Sequence, residues 1–150
     1  MKQFKEISKR NPTNSIIILF DNEFAEQGSP VSKFSGKWLK GDQQESLKKN
    51  NWVHVKDNLY MVITPLIHEQ DKTDIEMLFD EKVQNIEIDG RTLDKTGKKD
   101  KTKYFNKDIF SQYIMKNYES IDFENFKPML DDFRRIMASY RIYQKEWNVF

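Results

Sequence analysis

The segment S-I-I-I-L-F-D-N-E constrains this chain more than any other. Ile16 to Phe20 is a continuous apolar run, rich in β-branched residues, and it stops abruptly at Asp21-Asn22-Glu23. A run without polar alternation fits a strand covered on both faces, as in a parallel sheet. A length of 150 residues suits one domain, 1–150, able to bury a core. Aromatic residues are 13% of the chain, which argues against disorder because each supplies a large burial.

The rest of the chain divides by its punctuation. Phe4 and Ile7 sit three apart on a possible short helix that Asn11-Pro12 ends. Asp21 to Gly41 carries four helix-unfriendly residues, Gly28, Pro30, Gly36 and Gly41, so loop is expected over most of it. A short helix is expected over Gln43 to Lys49. Trp52 to Val55 and Leu59 to Thr64 read as strands around a Lys56-Asp57-Asn58 turn, and Pro65 closes the second. Thr73 with Glu76 three residues on has the capping-box pattern, with Ile75, Leu78 and Phe79 on the apolar face of the helix that would follow. Ile86 to Leu93 reads as a hairpin around Asp89-Gly90. Helix is predicted over Phe105 to Tyr118. A last helix begins near Phe123 or Glu124, making 123–150 a C-terminal helix and tail. Its apolar stripe is Phe126, Met129, Leu130, Phe133, Ile136, Met137 and Tyr140. Strands early and helices late make the fold class α/β.

Asp21 and Glu23 are two apart and point the same way on an extended segment. At the C-terminal edge of a strand they would line the crevice where α/β folds bind ligands. Carboxylate oxygens suit hard divalent cations. The competing explanation is that they are polar residues ending a strand in water.

Several segments taken in order resemble the C-terminal Toprim-like region of retron-type reverse transcriptases (RNA-directed DNA polymerases). They are I-I-I-L-F-D-N-E, then N-L-Y-M-V-I-T-P from Asn58 to Pro65, and I-E-M-L-F-D from Ile75 to Asp80. Gly90-Arg91-Thr92, F-N-K-D-I-F-S from Phe105 to Ser111, and I-D-F-E-N-F-K-P-M-L from Ile121 to Leu130 complete the series. The matches are collinear over most of the chain, from Asn11 to Met137. The family's D-N-D is D-N-E here, and the glycine before its lysine is Asn106. The polymerase has no counterpart, and the 15 residues before the apolar run, with Asn11-Pro12 among them, are too few for the family's first strand and its glutamate. The expected fold is therefore a truncated Toprim-like sheet with a C-terminal helical portion.

The resemblance implies phosphodiester chemistry with Mg²⁺ or Mn²⁺. Asp21, Glu23 and Glu76 would hold the metal, and Glu76 and Lys107 would be the catalytic pair. A glutamate in place of the second aspartate shifts the ligand oxygens, which Mg²⁺ tolerates less than Mn²⁺ or Ca²⁺. The plainer roles are a cap for Glu76 and solvent exposure for Lys107. Lys98, Lys99, Lys101 and Lys103 lie in a local basic loop suited to a phosphate backbone, or simply to solvent. His54 and His68 are isolated, and His54 reads as structural or solvent-facing.

Net charge is +1, so a nucleic-acid contact must come from a local patch rather than a global field. The sequence has no cysteine, which rules out disulfides and thiolate metal sites. Met1 to Arg10 lacks the apolar centre of a signal peptide, and no apolar run approaches membrane length. A cytoplasmic protein with no membrane contact is expected. Two functions fit: a metal-dependent, nuclease-like module of a retron phage-defence or mobile-element system, or a non-catalytic interaction module binding a reverse transcriptase, its RNA–DNA product or a toxin partner. Its partners would be a reverse transcriptase or other chain completing the sheet, and DNA or an RNA–DNA hybrid.

Overall fold

The computed structural model describes residues 13–67, 70–95 and 100–147. The predicted helix at Phe4 and Ile7, His68, Lys98, Lys99 and the last three residues lie outside them. The chain is mixed α/β and forms two compact units. One combines the segment up to Asp74 with the segment from Phe126 onward, and the other is Ile75–Asn125.

The first unit is built on a three-stranded sheet ordered β1 (Ile16–Phe20), β3 (Leu59–Ile63), β2 (Trp52–Lys56). β1 runs parallel to β3, with Ile18 beside Met61 and Phe20 beside Ile63. β2 and β3 are an antiparallel hairpin whose turn holds Asp57 at φ +52, a left-handed conformation that aspartate tolerates. All five residues of β3 are buried, as a central strand requires. Those of β1 are only half-buried, because β1 lies at the edge rather than inside the sheet. The expectation of full cover on both faces is corrected to that extent.

The two faces have different covers. Helices α1 (Pro30–Trp38) and α2 (Gly41–Asn50) give Val31 and Leu47, and the C-cap of α1 gives Leu39, to a core with Val53, Met61 and Ile63. Phe20, Phe24 and Phe34 pack against that core. On the opposite face, helix α5 (Lys127–Trp147) sets Tyr140 edge-on against Tyr60, ring centroids 6.4 Å apart. Of the predicted stripe, Phe126 just before the helix and Met129, Ile136 and Tyr140 on it are buried and Phe133 is half-buried, whereas Leu130 and Met137 are 45% and 44% exposed. The seven-residue stripe is thus too wide. The two outlying residues sit on the flank of the helix, rotated from the buried line by the 100° step.

Helix α1 replaces the loop expected between Asp21 and Gly41. Ser29 is its N-cap, accepting a hydrogen bond from the Ser32 amide, and Pro30 occupies the first turn. Proline there starts a helix rather than breaking one, since its missing N–H would have no partner anyway. Gly36 inside the helix has open space around it.

The second unit begins with a 3₁₀ turn, Ile75–Leu78, followed by the short helix α3 (Glu81–Gln84). The N-cap is Asp80, which accepts from the Val83 amide. Thr73 does not cap a helix, and the capping box is corrected accordingly. Asp89 and Gly90, at φ +50 and +71, make the expected tight turn between Ile88 and Arg91. Beyond it β4 (Thr92–Leu93) pairs in parallel with β5 (Tyr104–Phe105). Helix α4 (Lys107–Asn117) is capped by Asn106, whose side chain accepts from the Ile109 amide. Phe79 packs edge-on against Phe110 and Phe123. Among the described residues no helix is long and apolar enough to cross a membrane.

Candidate functional site

The D-N-E turn is built by three strands of chain meeting at one backbone position. Asn22 lies just beyond β1 and is buried, while Asp21 and Glu23 on either side are half-exposed. The Asn22 amide lies 2.9 Å from the Thr64 hydroxyl and 2.9 Å from the Thr73 carbonyl. The Thr73 amide returns a bond to the Asn22 carbonyl at 3.0 Å. The Thr64 hydroxyl also donates to the Thr73 carbonyl, and the Thr64 amide donates to Phe20 at 3.0 Å. Thr64 and Thr73 are fully buried. The turn is therefore fixed from beneath, with its two carboxylates flanking the fixed residue.

Negative charge gathers there. Burial, then Asp74, Glu26 and Asp21, push the Glu23 carboxyl above the usual carboxylate range, while Lys72 acts the other way. Lys72 is itself ion-paired with Glu26. Asp74 is the acidic neighbour that sequence reasoning missed, along with the tie through Thr64 and Thr73. The threonine that ends a strand just before Pro65 was the available signal for Thr64.

Carboxylates suit Mg²⁺ or Mn²⁺ by donor type. Among the described residues, however, no group of three or more histidine, aspartate or glutamate side chains converges to hold a metal ion. Asp21 and Glu23 supply two donors from one turn, so water or another chain would have to complete the shell.

Glu76 and Lys107 belong to the second unit, where they meet each other. Lys107 Nζ donates to Glu76 Oε2 at 2.9 Å. The Glu76 side chain is 12% exposed and that of Lys107 49%, so a nearly buried carboxylate is neutralised by a half-exposed cation.

The basic loop has Lys101 and Lys103 exposed beside an ordered turn. Asp100 Oδ1 accepts from the Thr102 amide at 2.9 Å and its hydroxyl at 2.8 Å. Those bonds hold the Asp100 carboxyl below its usual range. His54 is exposed, its Nε2 2.7 Å from the Asp57 carbonyl oxygen, and its ring lies 4.9 Å from that of Tyr60. It closes the hairpin turn, in agreement with a structural or solvent-facing role.

No family model matches this chain, and no solved structure matches it. Fold and geometry define a mixed α/β protein with an acidic turn at the C-terminal end of an edge strand.

Proposed function

We propose that the chain is a divalent-metal-dependent nucleic-acid-processing module with nuclease-like chemistry. Its setting is a cytoplasmic retron or reverse-transcriptase system of phage defence or a mobile element, as the resemblance to the Toprim-like appendage implies. Asp21 and Glu23 bind Mg²⁺ or Mn²⁺. A bound divalent ion neutralises charge building on a phosphate during phosphodiester cleavage. Lys107, oriented by Glu76, meets a phosphate, and Lys101 and Lys103 track the backbone of DNA or an RNA–DNA hybrid. The observation that carries the reading is the pinned turn at the C-terminal edge of β1, where open α/β sheets bind ligands.

Calorimetric titration of wild type and Asp21→Ala with Mn²⁺ and Mg²⁺ tests it, with both proteins checked for equal folding. Wild-type binding that disappears in the variant is the expected result. Binding by neither protein makes the turn a strand terminator in the isolated chain.

A second reading, a non-catalytic interaction module, is favoured by the position of β1. Among the described residues β1 pairs only with β3, and its apolar residues are half-exposed. An edge of that kind favours addition of a strand from another chain, such as a reverse transcriptase. Such a module keeps its binding in Asp21→Ala and loses it in Ile17→Lys.

A further inference from the structure

The geometry points to Thr64 as the positioning residue of the carboxylate turn, a role that rests on the metal-binding reading of Asp21 and Glu23. The Thr64 hydroxyl is bonded to the backbone amide that lies between the two carboxylates. It acts through Asn22, the residue between them.

The argument is one of connectivity. Asn22 is the only residue common to both carboxylates' local backbone, so the plane of its peptide sets the directions in which Asp21 and Glu23 leave the chain. The Thr64 hydroxyl accepts from the Asn22 amide at 2.9 Å and donates to the Thr73 carbonyl. A hydroxyl has one proton and two lone pairs, so one group can serve both partners. The Thr73 carbonyl takes the Asn22 amide as well, closing a three-membered ring of contacts among Asn22, Thr64 and Thr73. All three residues are buried, where such bonds are stronger than in water and costly to leave unmade.

Threonine fits this position for two further reasons. Its β-branch suits the extended backbone just after β3, and the residue is fully buried, methyl group included. Valine has the same shape without the hydroxyl. Serine has the hydroxyl without the methyl. The two substitutions therefore separate the hydrogen bonds from the packing.

The test compares wild type, Thr64→Val and Thr64→Ser by amide hydrogen exchange and by titration with Mn²⁺, Mg²⁺ and Ca²⁺. In wild type the Asn22 amide should exchange as slowly as the amides of β3. Thr64→Val should accelerate Asn22 exchange more than that of β3, and weaken Mn²⁺ binding roughly 10–100-fold, the usual effect of losing a group that orients a ligand. The loss should be greater for Mg²⁺ and Mn²⁺ than for Ca²⁺, because Ca²⁺ tolerates irregular ligand geometry. Thr64→Ser should restore both quantities. A purely structural role would move the stability of the variants without changing this cation preference.

The positioning role is overturned if wild type binds Mn²⁺ and Thr64→Val binds it equally well. It is also overturned if the wild-type Asn22 amide exchanges at loop rates, a result that needs no folded variant. If wild type binds no divalent cation, the metal reading fails. Exchange at Asn22 in Thr64→Val against Thr64→Ser then still decides whether Thr64 holds the turn.

Discussion

Lys107 Nζ and Glu76 Oε2, thirty-one residues apart in sequence, lie 2.9 Å from each other within the second unit. The pair ties the first residue of α4 to the 3₁₀ turn at Ile75–Leu78. Its asymmetry of exposure governs what substitution does. Lys107→Met should destabilise the protein by about 1–3 kcal/mol, because it withdraws a cation from a nearly buried carboxylate. Adding Glu76→Gln to that variant should recover part of the loss. Urea unfolding of the two singles and the double measures the coupling, and strictly additive losses would deny it.

Helix α1 depends on its first turn. Ser29→Ala removes the side-chain oxygen that accepts from the Ser32 amide and should cost about 1 kcal/mol. Ser29→Gly should cost only a few tenths beyond wild type. A shift of the urea midpoint at unchanged slope is the readout.

The division of the α5 stripe makes a contrast. Ile136 is fully buried, so Ile136→Ala should cost about 2–5 kcal/mol. Met137→Ala, one residue on, should cost about 1 kcal/mol or less, since the residue is already 44% exposed. Equal losses at the two positions would show that Met137 is covered in solution.

Asp132 gives the protein a pH dependence. Burial raises its carboxyl above the usual aspartate range, against the pull of the Arg135 guanidinium 3.3 Å away. The folded protein therefore holds that proton more tightly than the unfolded chain does. Stability from this group is full below the ordinary aspartate range and is lost as pH rises through the raised value. Asp132→Asn should raise Tm at neutral pH, by about 2–4 °C for each kcal/mol recovered. The advantage should vanish at low pH. An equal advantage at every pH would assign it to something other than the proton.

What was legible in the sequence followed periodicity and turn chemistry. The run Ile16–Phe20, the β2–β3 hairpin, the Asp89-Gly90 turn and the helices at Lys107 and Lys127 are local patterns, written in neighbouring residues. Helix α1 was hidden because Gly28, Pro30 and Gly36 look like breakers until Ser29-Pro30 is recognised as a start signal. Thr73 carried a capping pattern, yet its backbone is engaged by Asn22 from far along the chain. The candidate site was legible as residue types only. Asp21 and Glu23 announce themselves, whereas Asp74 and Thr64 join them through tertiary pairing that no local spacing encodes.

The composition of the first unit from two separated segments has a consequence during synthesis. β1, β2 and β3 leave the ribosome well before α5, and the whole of Ile75–Asn125 is made in between. Helices α1 and α2 can cover one face of the sheet early, but Tyr60 must wait for Tyr140. For that interval the sheet lacks the cover that α5 gives to Tyr60. Supplying that cover needs a long-range contact of the kind that slows folding and invites chaperones.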